Sequence, residues 1–103
     1  MSLFKSKKEK LLDALREVLV IFQKYEVKIW YEHLSPYIIS IENDERGTAE
    51  KLLKEFGGMG SFSDLVLSHL NGHSITEEEE KSANSKLDKL RQRIYILAKR
   101  IAN

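Results

Sequence analysis

No cysteine occurs in the 103 residues, so disulfides and thiolate metal sites are excluded by composition. That absence suits a reducing compartment. Proline occurs once, at Pro36, so few places force a helix to stop. Long apolar runs are missing too. The longest is Val18 to Phe22, far short of the roughly 18 residues a bilayer span needs. The chain opens on a basic stretch, Met1 to Lys10, as a signal peptide would. Asp13, Arg16 and Glu17 then interrupt what would be its apolar region. A cytoplasmic protein with no membrane segment is expected. The length allows one domain over 1–103, able to bury roughly 65% of its unfolded surface without a staple.

Net charge is only +1, but its distribution is uneven. Residues 57–80 contain five acidic residues and no Lys or Arg, whereas residues 81–103 contain seven Lys or Arg and one acidic residue. Such a pattern suits internal complementarity or a charged partner.

Periodicity points to helices. Leu11, Leu15, Val18, Phe22 and Tyr25 recur in steps of three and four, widened by Leu12, Leu19 and Ile21, and predict a long first helix over about 5–25. Trp30, Leu34, Tyr37, Ile38 and Ile41 continue at helical spacing through Pro36. The proline implies either a kink near His33 or two short helices, with Ser35 as a cap for the second. Residues 43–47 read as a polar turn, after which Thr48 would cap a short helix closed by Gly57. Thr76 and Glu79 form a capping box for a last long helix carrying Ala83, Leu87, Leu90, Ile94, Leu97 and Ile101 on one face. Arg91, Arg93, Lys99 and Arg100 lie toward its C-terminal end, where the helix dipole favours cations. The fold class is therefore all-α, an irregular bundle of four to five helices.

Between the third helix and the last lies 57–75, a glycine-rich segment with too many apolar residues for a solvated loop. It is expected to fold back on the helices as an ordered connection. It matches neither a P-loop, which needs Lys-Ser/Thr where Ser61-Phe62 stands, nor a dinucleotide fingerprint, whose third glycine is Ser63 here. His69 and His73 are four apart, but Asn71-Gly72 between them argues against a helical ligand pair. Ser61, His73 and Asp64 lack the nucleophile-elbow pattern. No metal and no cofactor is expected. The residues that remain for binding are Met59, Ser61, Asp64, Asn71 and His73, with Trp30 and Tyr95 as walls of a cleft. His73 is placed to fix the loop through a backbone carbonyl or a carboxylate such as Asp64. Lys86, Lys89, Arg93 and Arg100 lie along one side of the last helix. Near-neutral net charge and four consecutive glutamates at its start count against nucleic acid as a partner.

Phe56-Gly57-Gly58-Met59-Gly60-Ser61-Phe62, Asp64-Leu65-Val66-Leu67 and Asn71-Gly72-His73 resemble the signature of a family of small bacterial proteins of unknown function. Trp30 before it fits, as do Leu87, Leu90, Arg91, Ile94, Tyr95 and Leu97-Ala98 after it. Ser63 and Pro36 depart from the pattern. The resemblance implies a compact helical bacterial domain and brings no reaction, cofactor or substrate.

The expected function is a non-enzymatic protein-interaction module, of the kind that includes immunity proteins and antitoxins, acting as monomer or homodimer on a toxin or effector. Its contact surface would be Met59, Asn71 and His73 with the acidic run Glu77 to Glu80, steering a basic partner. The alternative is a small enzyme or ligand-binding domain using Asp64 and His73.

Overall fold

A computed structural model describes residues 4–103. Five α-helices follow one another: α1 (Lys7–Lys24), α2 (Lys28–Leu34), α3 (Pro36–Asn43), α4 (Glu45–Lys54) and α5 (Glu77–Ala102). The connection from α4 to α5 contains two single 3-10 turns, Phe62–Asp64 and His69–Asn71. No strand occurs among the described residues.

The two long helices are the ones periodicity predicts, and each starts at a capping box. Ser6 and Glu9 close α1, while Thr76 and Glu79 close α5. Glu17 faces Arg93 while Glu79 lies beside Tyr25, so α1 and α5 run antiparallel. Their facing stripes, including Leu11, Leu15, Val18 and Phe22 against Leu87 and Ile94, are fully buried. Each such side chain contributes about 1.5–3 kcal/mol relative to exposure. No helix among the described residues is long and apolar enough to cross a membrane.

Pro36 separates two short helices, the second of the two outcomes the sequence allows, and it stands at the first position of α3. Ser35 does not cap with its side chain. Its backbone is itself helical, so its hydroxyl is not turned toward the free amides. Glu55 ties this corner to the end of α4, accepting from the Tyr37 hydroxyl at 2.6 Å and lying 2.8 Å from His33 Nε2. Burial first, and then the Glu55 carboxylate, push the Tyr37 phenol well above its usual range.

α4 begins earlier than Thr48. Asp44 is the cap, its carboxylate accepting from Gly47 N–H at 3.0 Å, and Thr48 is buried inside the first turn. A β-carbon at position 47 would overlap that carboxylate, which explains glycine within a helix. At the other end Gly57 is not the left-handed residue. Gly58 (φ 88°) and Gly60 (φ 74°) make the reversal instead.

Candidate functional site

The connection 57–75 is pinned to the bundle from both ends and from its middle. Phe62 is its anchor and is fully buried. The Phe62 ring packs against Phe56 at 5.3 Å, Trp30 at 5.6 Å and Phe22 at 6.4 Å between centroids. Phe62 N–H donates to Glu55 carbonyl oxygen at 2.8 Å, which joins the segment to the last turn of α4.

Two polar side chains of α5 hold the rest. Arg91 is buried, and its Nη1 donates to the carbonyls of Phe62 (2.7 Å) and Leu65 (2.8 Å). Its Nη2 pairs with Asp88, and its guanidinium lies 5.7 Å from the Phe62 ring centre. Asn84 grips Leu67 on both sides, accepting from its N–H at 2.8 Å and donating to its carbonyl at 2.8 Å. The sequence reading assigns Arg91 to the dipole end of α5 and passes over Asn84. In the fold both serve as loop clamps. Both stand at the edge of the apolar stripe of α5, where a polar residue is common, so spacing alone does not single them out.

The motif residues bond within the loop itself. Asp64 Oδ2 accepts from Gly60 N–H at 2.8 Å. Ser63 Oγ donates to the Phe56 carbonyl at 2.9 Å, and Asn71 Nδ2 donates to the Val66 carbonyl at 2.9 Å. The His73 ring takes neither a carbonyl nor Asp64. Its Nδ1 accepts from Ser68 N–H at 3.1 Å, while the backbone N–H of His73 donates to the Ser68 carbonyl at 3.3 Å. An accepting Nδ1 places the imidazole proton on Nε2. Burial holds this histidine below its ordinary pKa, so the neutral ring is favoured. Gly72 (φ 83°) supplies the left-handed turn between Asn71 and His73.

Five of the seven candidate residues share one hollow. A cleft of about 540 Å³ opens between the loop and the start of α2, with Trp30, Ser61, Asp64, Asn71 and His73 in its wall. Glu26 also lines it, a residue the sequence reading did not single out. Glu26 has φ 55°, a left-handed conformation that costs a non-glycine residue about 1–2 kcal/mol. Its carboxylate accepts from the Ser74 hydroxyl, beside a 2.8 Å bond from Ser74 N–H to the Tyr25 carbonyl. That strain was visible only as a glutamate where a helix end favours Gly or Asn.

The other two candidates lie elsewhere. Tyr95 does not wall the cleft with Trp30. It stacks edge-on against Phe56 at 5.3 Å and borders a separate hollow beside Arg91, because its position on α5 turns it away from α2. Met59 stands fully in solvent at the loop tip. Asp64 and His73 each hold a different backbone amide, and no hydrogen bond joins them.

Around this loop stand large apolar side chains with no cover. Ile29 is 82% exposed, Leu70 84% and Val66 53%. Val66, Leu70 and Met59 stand on a segment whose backbone is fixed from within, and Ile29 on the neighbouring start of α2.

Neither the comparison with curated proteins nor that with solved structures gives a match. A family model matches residues 23–76, a span from the end of α1 to Thr76, the cap of α5. That span takes in α2 to α4 and the whole pinned loop. The chain belongs to the family described as "Domain of unknown function (DUF6966)".

Proposed function

We propose that this chain is a bacterial, cytoplasmic protein-interaction module without catalytic activity, and that the loop 57–75 with the start of α2 is its contact face. One observation carries the reading. Met59, Val66 and Leu70 are exposed on a loop whose Asp64, Asn71 and His73 side chains hold its own backbone, and Ile29 is exposed beside it at the start of α2. Exposed apolar groups on a rigid support lose little entropy on docking, which is how an interface obtains affinity from few residues. The neighbouring acidic run Glu77 to Glu80 suits a basic partner. An antidote that covers a basic toxin or effector fits both features.

The test is affinity capture from extract of the source cells, with wild-type chain and a Met59→Asp/Leu70→Asp variant as paired baits. A polypeptide retained by the wild type and lost with the variant, and associating more slowly as salt rises, is expected. If nothing distinguishes the two baits while circular dichroism shows both folded, the reading fails.

A second reading rests on the cleft. His73 Nε2–H, the second Asp64 oxygen and the Trp30 face border one hollow of ligand size. A small polar molecule held there would raise the melting temperature of the wild type but not that of Trp30→Ala.

A further inference from the structure

We propose that the cations along the outer side of α5 bind the phosphate backbone of a duplex nucleic acid. At 3.6 residues per turn, Lys86, Lys89, Arg93 and Arg100 fall within an arc of about 60° and span roughly 21 Å of helix axis. All four are exposed. Lys10 of α1 joins Lys89, Arg93 and Arg100 around one groove of about 510 Å³.

Among the described residues, Lys10, Lys86, Lys89 and Arg100 form no ion pair, and Arg93 has only a long, exposed contact at 3.8 Å to Glu17. Asp13 also borders the groove, but it is held by Lys5. Beyond Glu80 the helix carries one carboxylate, Asp88, which is tied to Arg91 on the loop side.

Two features count against nucleic acid when the sequence is read alone: near-neutral net charge and the glutamate run. The fold separates both from this stripe. Asn84 and Arg91 fix the side of α5 that meets the loop. By helix geometry that side lies about 180° around α5 from the stripe. Glu77 and Glu80 point toward the loop side, with Glu80 beside His69, and Glu79 is used in the cap. Of that run, only Glu78 borders the basic row, below Lys86.

A straight row of exposed cations, of which only Arg93 has a contact and that a long one, matches a ligand whose charges repeat regularly and need no side chain aimed at each. A phosphodiester backbone has that form. No aromatic ring stands in the row to stack bases, which favours duplex over single strand.

The probe is a short fluorescent DNA duplex, read by anisotropy across a salt series. Four phosphate contacts give a log–log salt slope of about −3.6, on the order of a hundredfold loss between ~50 and 200 mM. The combined Lys86→Gln/Lys89→Gln/Arg93→Gln/Arg100→Gln variant is expected to bring the slope near zero. The pair Lys86→Gln/Lys89→Gln should bring it to about −1.8. Lys28→Gln/Lys51→Gln/Lys54→Gln/Lys99→Gln removes the same charge from exposed positions off the stripe and should leave the slope in place. Circular dichroism checks that each variant is folded. Absence of duplex binding at low salt overturns the proposal, as does equal loss in both fourfold variants. Tighter binding to a single strand, to polyglutamate or to anionic vesicles overturns it as well. The contact face at 57–75 plays no part in this assay, so the two readings stand or fall separately.

Discussion

Truncating Asn84 to alanine removes both hydrogen bonds to Leu67 and leaves that residue's N–H and carbonyl without a partner. Leu67 has 0% exposure, so water does not replace the lost bonds without opening the loop. Each orphaned buried group costs about 1–3 kcal/mol, and partial loop opening relieves some of that. A net loss of about 3 kcal/mol is expected, which lowers the melting temperature of a domain this size by roughly 12 °C or more. Urea unfolding followed by circular dichroism measures it, with the exposed neighbour Ser85→Ala as reference at under about 0.5 kcal/mol. Asn84→Asp sharpens the test. It keeps the acceptor for Leu67 N–H but sets a carboxylate against the Leu67 carbonyl, so at neutral pH it should destabilise at least as much as alanine. Part of the loss should return below about pH 4, where the protonated acid can donate. A loss under about 1 kcal/mol for Asn84→Ala, or an equal loss for Ser85→Ala, would refute the clamp.

Arg91→Met should cost about 3 kcal/mol in the same assay, because two loop carbonyls lose their donor, and Arg91→Lys should recover only part of it. His73 is held neutral in the fold, so its contribution to stability is complete above its unfolded value near 6.5 and declines as pH falls through that value toward the lower folded one. Unfolding at pH 7.5 and pH 5.5 should therefore show a larger drop for the wild type than for His73→Gln. Gly58→Ala and Gly60→Ala force left-handed backbone on alanine and should each lower stability by about 1 kcal/mol, although a β-carbon at either site meets no neighbour. Thermal melts that leave either variant unchanged would remove the backbone argument.

Periodicity was enough to find α1 and α5, because a long stripe against a partner helix writes itself into the spacing of Leu11, Leu15 and Val18 and of Leu87, Leu90 and Ile94. The capping box at Thr76 located the start of α5, yet the equivalent pair Ser6 and Glu9 went unread beside the basic first residues. Ser35 stands at the cap position of α3 as expected but without a side-chain bond, whereas Asp44 takes the cap expected of Thr48. Several Ser, Thr and Asp residues near a boundary satisfy the same preference, and only the backbone shows which one faces free amides. The loop was legible as ordered from its apolar content. Its internal bonding was not, since a histidine that accepts from Ser68 N–H and an asparagine that donates to Val66 leave no periodic trace. Trp30 and Tyr95 looked equivalent as aromatics at helical spacing, and only their different helix faces send them to separate hollows.

The family match and the source of stability do not coincide. Of the 22 buried apolar side chains, 13 lie outside residues 23–76, on α1 and α5. Both clamps, Asn84 and Arg91, are outside it as well. The matched span therefore carries the loop, the cleft and the exposed apolar side chains, while the flanking helices supply most of the core and the bonds that hold the loop's shape. Burial is indifferent to the order of apolar residues along a stripe, so α1 and α5 can vary widely while still packing. The loop has no such freedom, because Gly58, Gly60 and Gly72 meet backbone demands that other residues strain to satisfy, and Asp64, Asn71 and His73 each serve one named amide or carbonyl. A recognisable pattern should then collect where geometry is specific rather than where most of the stabilising area is buried. The matched span thus holds the loop with α2 to α4, and the side chains that clamp the loop stand on a helix outside it.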